Sequence, residues 1–168
     1  MKKKVYVILW GFLIIFLVFF CDKGNYIQNV EAILTENSAC KSSKSAELTI
    51  DIPSDRSCIF YSYDKKVNKL SVKHANAGFN CCPGKLTCAA EYCCGTITIT
   101  ESEEAAKCNC DCLFDLEMEV TGVTAGDYKV KIIEPYSGDQ EKIVFEVNLD
   151  DHPDGSFCVT RKLYPWGM

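Results

Sequence analysis

The residues of this sequence that could do chemistry are mainly its cysteines. The chain has 12 cysteines in 168 residues, and eight of them lie between positions 81 and 112. These eight are Cys81, Cys82, Cys88, Cys93, Cys94, Cys108, Cys110 and Cys112. Thiols can form disulfides, bind soft metal ions or carry out redox chemistry. Which of these is expected depends on whether the protein resides in an oxidising or a reducing compartment.

The amino-terminal segment indicates that this compartment lies outside the cytoplasm. Three consecutive lysines precede an apolar run over residues 5–20. At ~1.5 Å per residue the run spans about 24 Å as a helix, which is short for a ~30 Å hydrocarbon core and typical of an export signal. Cys21 closes the run, and this junction resembles that of bacterial lipoprotein precursors, in which the cysteine is lipidated. We therefore expect an export signal over residues 1–21 and a lipid anchor at Cys21, with a signal anchor or plain secretion as the alternatives.

Disulfides are the preferred interpretation of the cysteine cluster. Cys108, Cys110 and Cys112 continue the alternation of Phe114 and Leu116, which predicts one strand with all three thiols on its core face. We expect a neighbouring strand with Cys81 or Cys82 to be joined to it by disulfides. Cys88, Cys93 and Cys94 are expected to be disulfide or core cysteines as well.

A soft-metal site is the alternative interpretation. Copper(I) or zinc would bind the thiolates of five cysteines, namely Cys81, Cys82, Cys108, Cys110 and Cys112. No Cys-x-x-Cys spacing occurs in the chain, however, and alternate residues of one strand are ~6.5–7 Å apart, a poor chelate. A third hypothesis, a thiol oxidoreductase, requires one exposed cysteine of low pKa.

The rest of the chain must position these cysteines, and its patterning is that of β-strands. Residues 22–45 are polar and predict a tether. From residue 46 onward apolar residues alternate with polar ones, from Leu48, Ile50 and Ile52 to Phe157 and Val159, with no helical period. The parity switches between His74 and Ala77, which predicts a bulge. We therefore predict an all-β protein, with an antiparallel β-sandwich of about eight strands over residues 46–168.

One stretch of this pattern is more specific. In residues 118–132 a strand leads into a tight turn at Gly126, and Tyr128 then begins a second alternating segment. The arrangement resembles the corner of immunoglobulin-like and fibronectin-like sandwiches, in which a tyrosine hydroxyl bonds to the preceding loop. The resemblance implies architecture and no activity.

Composition and the remaining motifs argue against several functions. With 18 Lys+Arg against 23 Asp+Glu the net charge is −5, which disfavours nucleic-acid binding. No Gly-x-Ser-x-Gly or phosphate-binding glycine loop is present. Of the two histidines, His74 is expected to be hydrogen-bonded beside the bulge, and His152 to lie in a solvated turn. We expect a protein that is not an enzyme and has no cofactor.

Three motifs together resemble a group of small exported bacterial proteins that often carry lipoprotein signals. They are Phe-Asn-Cys-Cys at 79–82, Cys-Asn-Cys-Asp-Cys-Leu-Phe-Asp-Leu at 108–116 and Tyr-Pro-Trp-Gly at 164–167. The resemblance implies cysteine placement and export but no assigned activity. The predicted function is thus a secreted or envelope-anchored β-sandwich lipoprotein, stabilised by disulfides, with a structural or binding role and a partner that the sequence does not identify.

Overall fold

The computed structural model describes residues 28–41 and 52–163, and all regular structure in these residues is β. The nine strands are β1 (Glu31–Asn37), β2 (Arg56–Asp64), β3 (Lys69–Asn80), β4 (Leu86–Cys93), β5 (Thr96–Glu103), β6 (Asp111–Thr121), β7 (Asp127–Ile133), β8 (Val144–Asn148) and β9 (Asp154–Thr160). They form a five-stranded sheet in the order β1-β6-β3-β2-β9 and a four-stranded sheet in the order β4-β5-β7-β8.

The two sheets enclose a core that follows from the alternation of the strands. In β5 the isoleucines Ile97 and Ile99 are fully buried, whereas the threonines that alternate with them, Thr96, Thr98 and Thr100, are half-buried. The inward residues of β6 include Leu116, Met118 and Val120, each at most 1% exposed. Burial of such a side chain stabilises the fold by about 1.5–3 kcal/mol, so this alternation drives the two sheets together.

The bulge that the sequence predicts in β3 is confirmed. The register between β3 and β6 shifts between His74 and Ala77, and Asn76 has a φ of 63°. Asparagine tolerates this left-handed region better than most residues. The Asn76 amide donates hydrogen bonds to the carbonyl oxygens of Ile52, Pro53 and Arg56, so the bulge anchors the segment that leads into β2.

The tyrosine at the predicted corner makes the expected hydrogen bond. The Tyr128 hydroxyl donates to the carbonyl oxygen of Thr124 at 2.9 Å. Its ring packs edge-on against Tyr92 of β4, with 6.0 Å between ring centroids. The corner therefore fixes the entry to β7 against the neighbouring hairpin.

Two details of the predicted sandwich are wrong. The sheets are not purely antiparallel, because β5 and β7 pair in parallel. The segment assigned to a polar tether also contains β1, which pairs with β6 from Glu31 to Asn37. Its signal was weak because β1 is an edge strand, in which Ala32 and Leu34 are only partly buried against the core and Ile33 is exposed.

Several predictions concern residues outside the described ranges. They are the export signal with Cys21, the alternating Leu48 and Ile50, and the carboxy-terminal motif at 164–167. Within the described ranges the search for an apolar helix of membrane-spanning length found none.

Candidate functional site

Two adjacent disulfides fasten the end of β3 to the segment before β6. They join Cys81 to Cys110 and Cys82 to Cys108, with Cα–Cα distances of 5.6 and 5.5 Å. The Asn80 side chain lies between them, with its amide nitrogen donating to the carbonyl oxygens of both Cys108 and Cys110. Its amide oxygen accepts from the backbone nitrogens of Cys82 and Cys108. The predicted linkage between these two groups of cysteines is therefore present.

Two further disulfides close long loops. Cys40 bonds to Cys112, and Cys58 bonds to Cys158 across β2 and β9, at sequence separations of 72 and 100. Neither pairing was predicted, since alternation within one strand contains no information about its register with a distant one. All four disulfides in the described residues lie within the five-stranded sheet or the segments that border it, so they fasten its strands side by side.

The prediction that three cysteines share the core face of one strand holds for Cys112 alone. Cys112 is 2% exposed, whereas Cys108 is half-buried and Cys110 is exposed. The reason is that β6 begins only at Asp111. The carbonyl groups of Cys108 and Cys110 instead accept hydrogen bonds from the Asn80 side chain. Parity therefore does not extend through Cys108 and Cys110.

The alternative metal site is incompatible with this arrangement. Each of its five candidate ligands, Cys81, Cys82, Cys108, Cys110 and Cys112, is part of a disulfide. A disulfide sulfur is not a thiolate, and the thiolate is the form that binds copper or zinc. Among the described residues, no group of three or more potential ligands is placed to hold a metal ion.

The other three cysteines of the cluster are separated from the double disulfide along β4. Cys88 is half-buried in the strand and contacts the core, whereas Cys93 and Cys94 lie exposed at the turn after it. At ~3.3 Å per residue, the eight residues of β4 place this turn about 25 Å from the strand's beginning. Cys93 and Cys94 thus lie at the opposite end of β4 from the double disulfide, and Cys88 lies in the strand between them.

His74 lies at the centre of a buried polar network. Its Nδ1 is 2.7 Å from Oε1 of Glu101, and its Nε2 is 2.7 Å from Oγ of Ser57. The predicted hydrogen-bonded histidine beside the bulge is confirmed, but the two partners were not predicted. The order of contacts is that of a Ser-His-acid triad. All three residues are at most 2% exposed, however, so a substrate has no access to the serine.

A second buried ion pair adjoins this network. Arg161 donates two hydrogen bonds to the carboxylate of Glu134, at 2.8 and 2.6 Å, and Glu134 lies 3.8 Å from His74. Burial alone lowers the pKa of His74, but the negative charges of Glu101 and Glu134 outweigh it and raise the pKa above the usual value. With His74 protonated the four ionised side chains are neutral overall, which favours a role in stability.

A groove in the surface lies beside the β4–β5 turn. It has a volume of about 590 Å³ and lies where this turn meets the start of β7 and the end of β8. Its lining includes Cys94, Asp127, Lys129 and Glu146. The groove combines an exposed cysteine with charges of both signs.

Comparisons with known proteins found no match among family models, curated proteins or solved structures.

Proposed function

We propose that the protein is a non-enzymatic β-sandwich lipoprotein of the bacterial cell envelope, anchored through Cys21, with a structural or binding role. The observation that carries the proposal is the framework of four disulfides. Disulfides form and persist in oxidising compartments, so this framework is compatible with an extracytoplasmic location. The predicted export signal over residues 1–21, which ends at Cys21, supports the proposal of a membrane anchor.

The burial of the polar network around His74, which resembles a catalytic triad, supports a role other than catalysis. A substrate has no access to the serine of this network, and the exposed groove is lined by charges of both signs. A binding role would use the surface of the sandwich and its turns, as in many cell-surface domains.

We further propose an immunoglobulin-like architecture for the sandwich, supported by the Tyr128 corner. Two features depart from immunoglobulin domains: the parallel pairing of β5 with β7, and the lack of an inter-sheet disulfide in the described part of the chain. The corner therefore supports a related architecture with its own cysteine framework.

The test is expression of the full chain in a bacterium with lipoprotein processing. Metabolic labelling with a palmitate analogue should label the protein, and detergent phase partition should recover it with the membrane lipids. Cys21→Ala should abolish both, whereas the matched control Cys93→Ala should change neither. Labelling that persists in Cys21→Ala, or protein that is soluble with Cys21 intact, would contradict the anchor.

A further inference from the structure

The β4–β5 turn brings two thiols into contact. Cys93 and Cys94 are consecutive and exposed, and their sulfur atoms lie 3.2 Å apart. Neither takes part in the four disulfides described above. Cys93 pairs with Thr96, so Cys94 and Gly95 are the two central residues of the hairpin turn.

The backbone of this turn is unfavourable for a cysteine. Cys94 has a φ of 53° and Gly95 a φ of 78°. Two positive φ values define a type I′ hairpin turn, for which Asn-Gly is the preferred sequence. A cysteine at the first position is therefore strained relative to asparagine, and such strain is characteristic of functional positions.

We infer that Cys93 and Cys94 are a redox-active vicinal pair, oxidised to a disulfide by exchange with a low-molecular-weight disulfide. The thiolate of one cysteine attacks the incoming disulfide, which forms a mixed disulfide and releases one small thiol. The thiolate of the other cysteine then attacks the mixed disulfide and releases the second small thiol. The protein loses two hydrogens and the small disulfide is reduced to two thiols, so atoms and electrons balance.

The groove gives small reagents access to Cys94. Cys94 borders it together with Asp127 and Lys129, and the backbone nitrogen of Lys129 donates to the Gly95 carbonyl at 2.9 Å. The turn is thus held against the start of β7. Closing a ring between the two cysteines would change the shape of the turn at the edge of this groove.

A bond between consecutive cysteines differs from the structural disulfides in its ease of reduction. Consecutive Cα atoms are about 3.8 Å apart, below the ~4.4–6.8 Å that disulfides normally span, so the ring is strained and readily reduced. The pair is therefore suited to reversible oxidation rather than to stabilising the fold.

Cys88 provides an internal contrast. Burial, with a contribution from the charge of Glu101, raises the pKa of its thiol to about 11. Its thiolate is therefore scarce near neutral pH, and exchange at this residue should be slow. If Cys93 and Cys94 bond to each other, Cys88 is the one cysteine of the described residues left as a thiol.

The test treats the purified full chain with oxidised glutathione and then alkylates it in denaturant without reductant. In the wild type, peptide mass spectrometry should find residues 93–94 two hydrogens lighter, with no glutathione retained and Cys88 alkylated. Cys94→Ser should keep glutathione on Cys93, while the control Cys88→Ser should behave as the wild type at the turn. Retained glutathione or alkylation at both Cys93 and Cys94 in the wild type would overturn the inference.

A second measurement uses the reduced pair and does not depend on these variants. When a reductant is added stepwise, the bond between Cys93 and Cys94 should be reduced at a reductant concentration at least tenfold lower than that needed for Cys40–Cys112 or Cys58–Cys158. Phenylarsine oxide, which bridges two neighbouring thiols, should then be retained at one equivalent per chain. Reduction of the turn together with the structural disulfides, or no retained arsenical, would contradict the vicinal pair.

Discussion

Replacing His74 with leucine should destabilise the protein severely, because it leaves a buried carboxylate without its partner. Glu101 is 2% exposed, and its hydrogen bond through Oε1 goes to Nδ1 of His74. The other carboxylate oxygen of Glu101, Oε2, has no hydrogen-bond partner among the described residues. Removing one member of a buried ion pair typically costs about 3–5 kcal/mol. Whole domains of this size are stable by only about 5–15 kcal/mol, so the loss is a large fraction of the total.

The assay is urea unfolding at pH 7 with the disulfides intact, followed by tyrosine fluorescence and circular dichroism. His152→Leu is the matched control, since the only other histidine of the chain is exposed and its replacement should change stability by less than about 0.5 kcal/mol. The double variant His74→Leu/Glu101→Met removes both partners and should recover at least half of the loss. A loss of unfolding free energy below about 1 kcal/mol for His74→Leu would refute the reasoning. A double variant whose loss equals the sum of the losses of His74→Leu and Glu101→Met would refute it as well.

Three further predictions follow from the same geometry. Because the pKa of His74 is raised, its contribution to stability should be fully present below about pH 6.5 and lost as pH rises through the pKa of the folded state. NMR should show His74 titrating above pH 6.5. Urea unfolding should show a free energy of unfolding that decreases over the same pH range in the wild type and does not in the His74→Leu/Glu101→Met variant. Asn80→Ala removes four hydrogen bonds around the double disulfide and should cost about 2–4 kcal/mol, whereas Asn109→Ala in the same loop should cost under about 0.5 kcal/mol in parallel urea titrations. In a Cys93→Ser background, Cys94→Asn should raise the free energy of unfolding by about 1 kcal/mol, since asparagine suits the positive φ; a loss of stability would contradict the turn assignment.

The sequence predicts those parts of the fold that depend on local alternation. The bulge after His74 could be found because a parity switch in one strand is visible without any partner. The same reasoning failed at Cys108 and Cys110, since alternation does not report where a strand begins. It also missed β1, whose position at a sheet edge requires few apolar residues.

The candidate site depends on pairings that span the chain, and these are not visible in local patterns. Glu101 and Arg161, which surround His74, are 27 and 87 positions further along the sequence. Cys58 and Cys158 meet only because β2 and β9 are neighbours in the five-stranded sheet. The contact between Cys93 and Cys94 could not be predicted without the turn type, which the positive φ values of Cys94 and Gly95 define.

The central claim is that disulfides specific to this fold, rather than a metal site, account for five of the eight clustered cysteines, namely Cys81, Cys82, Cys108, Cys110 and Cys112. Disulfide mapping by mass spectrometry of the full chain, purified without reductant, tests it most directly. The account predicts the four linkages Cys40–Cys112, Cys58–Cys158, Cys81–Cys110 and Cys82–Cys108. Reduced thiols at Cys81, Cys82, Cys108 and Cys110, or linkages between different partners, would contradict it.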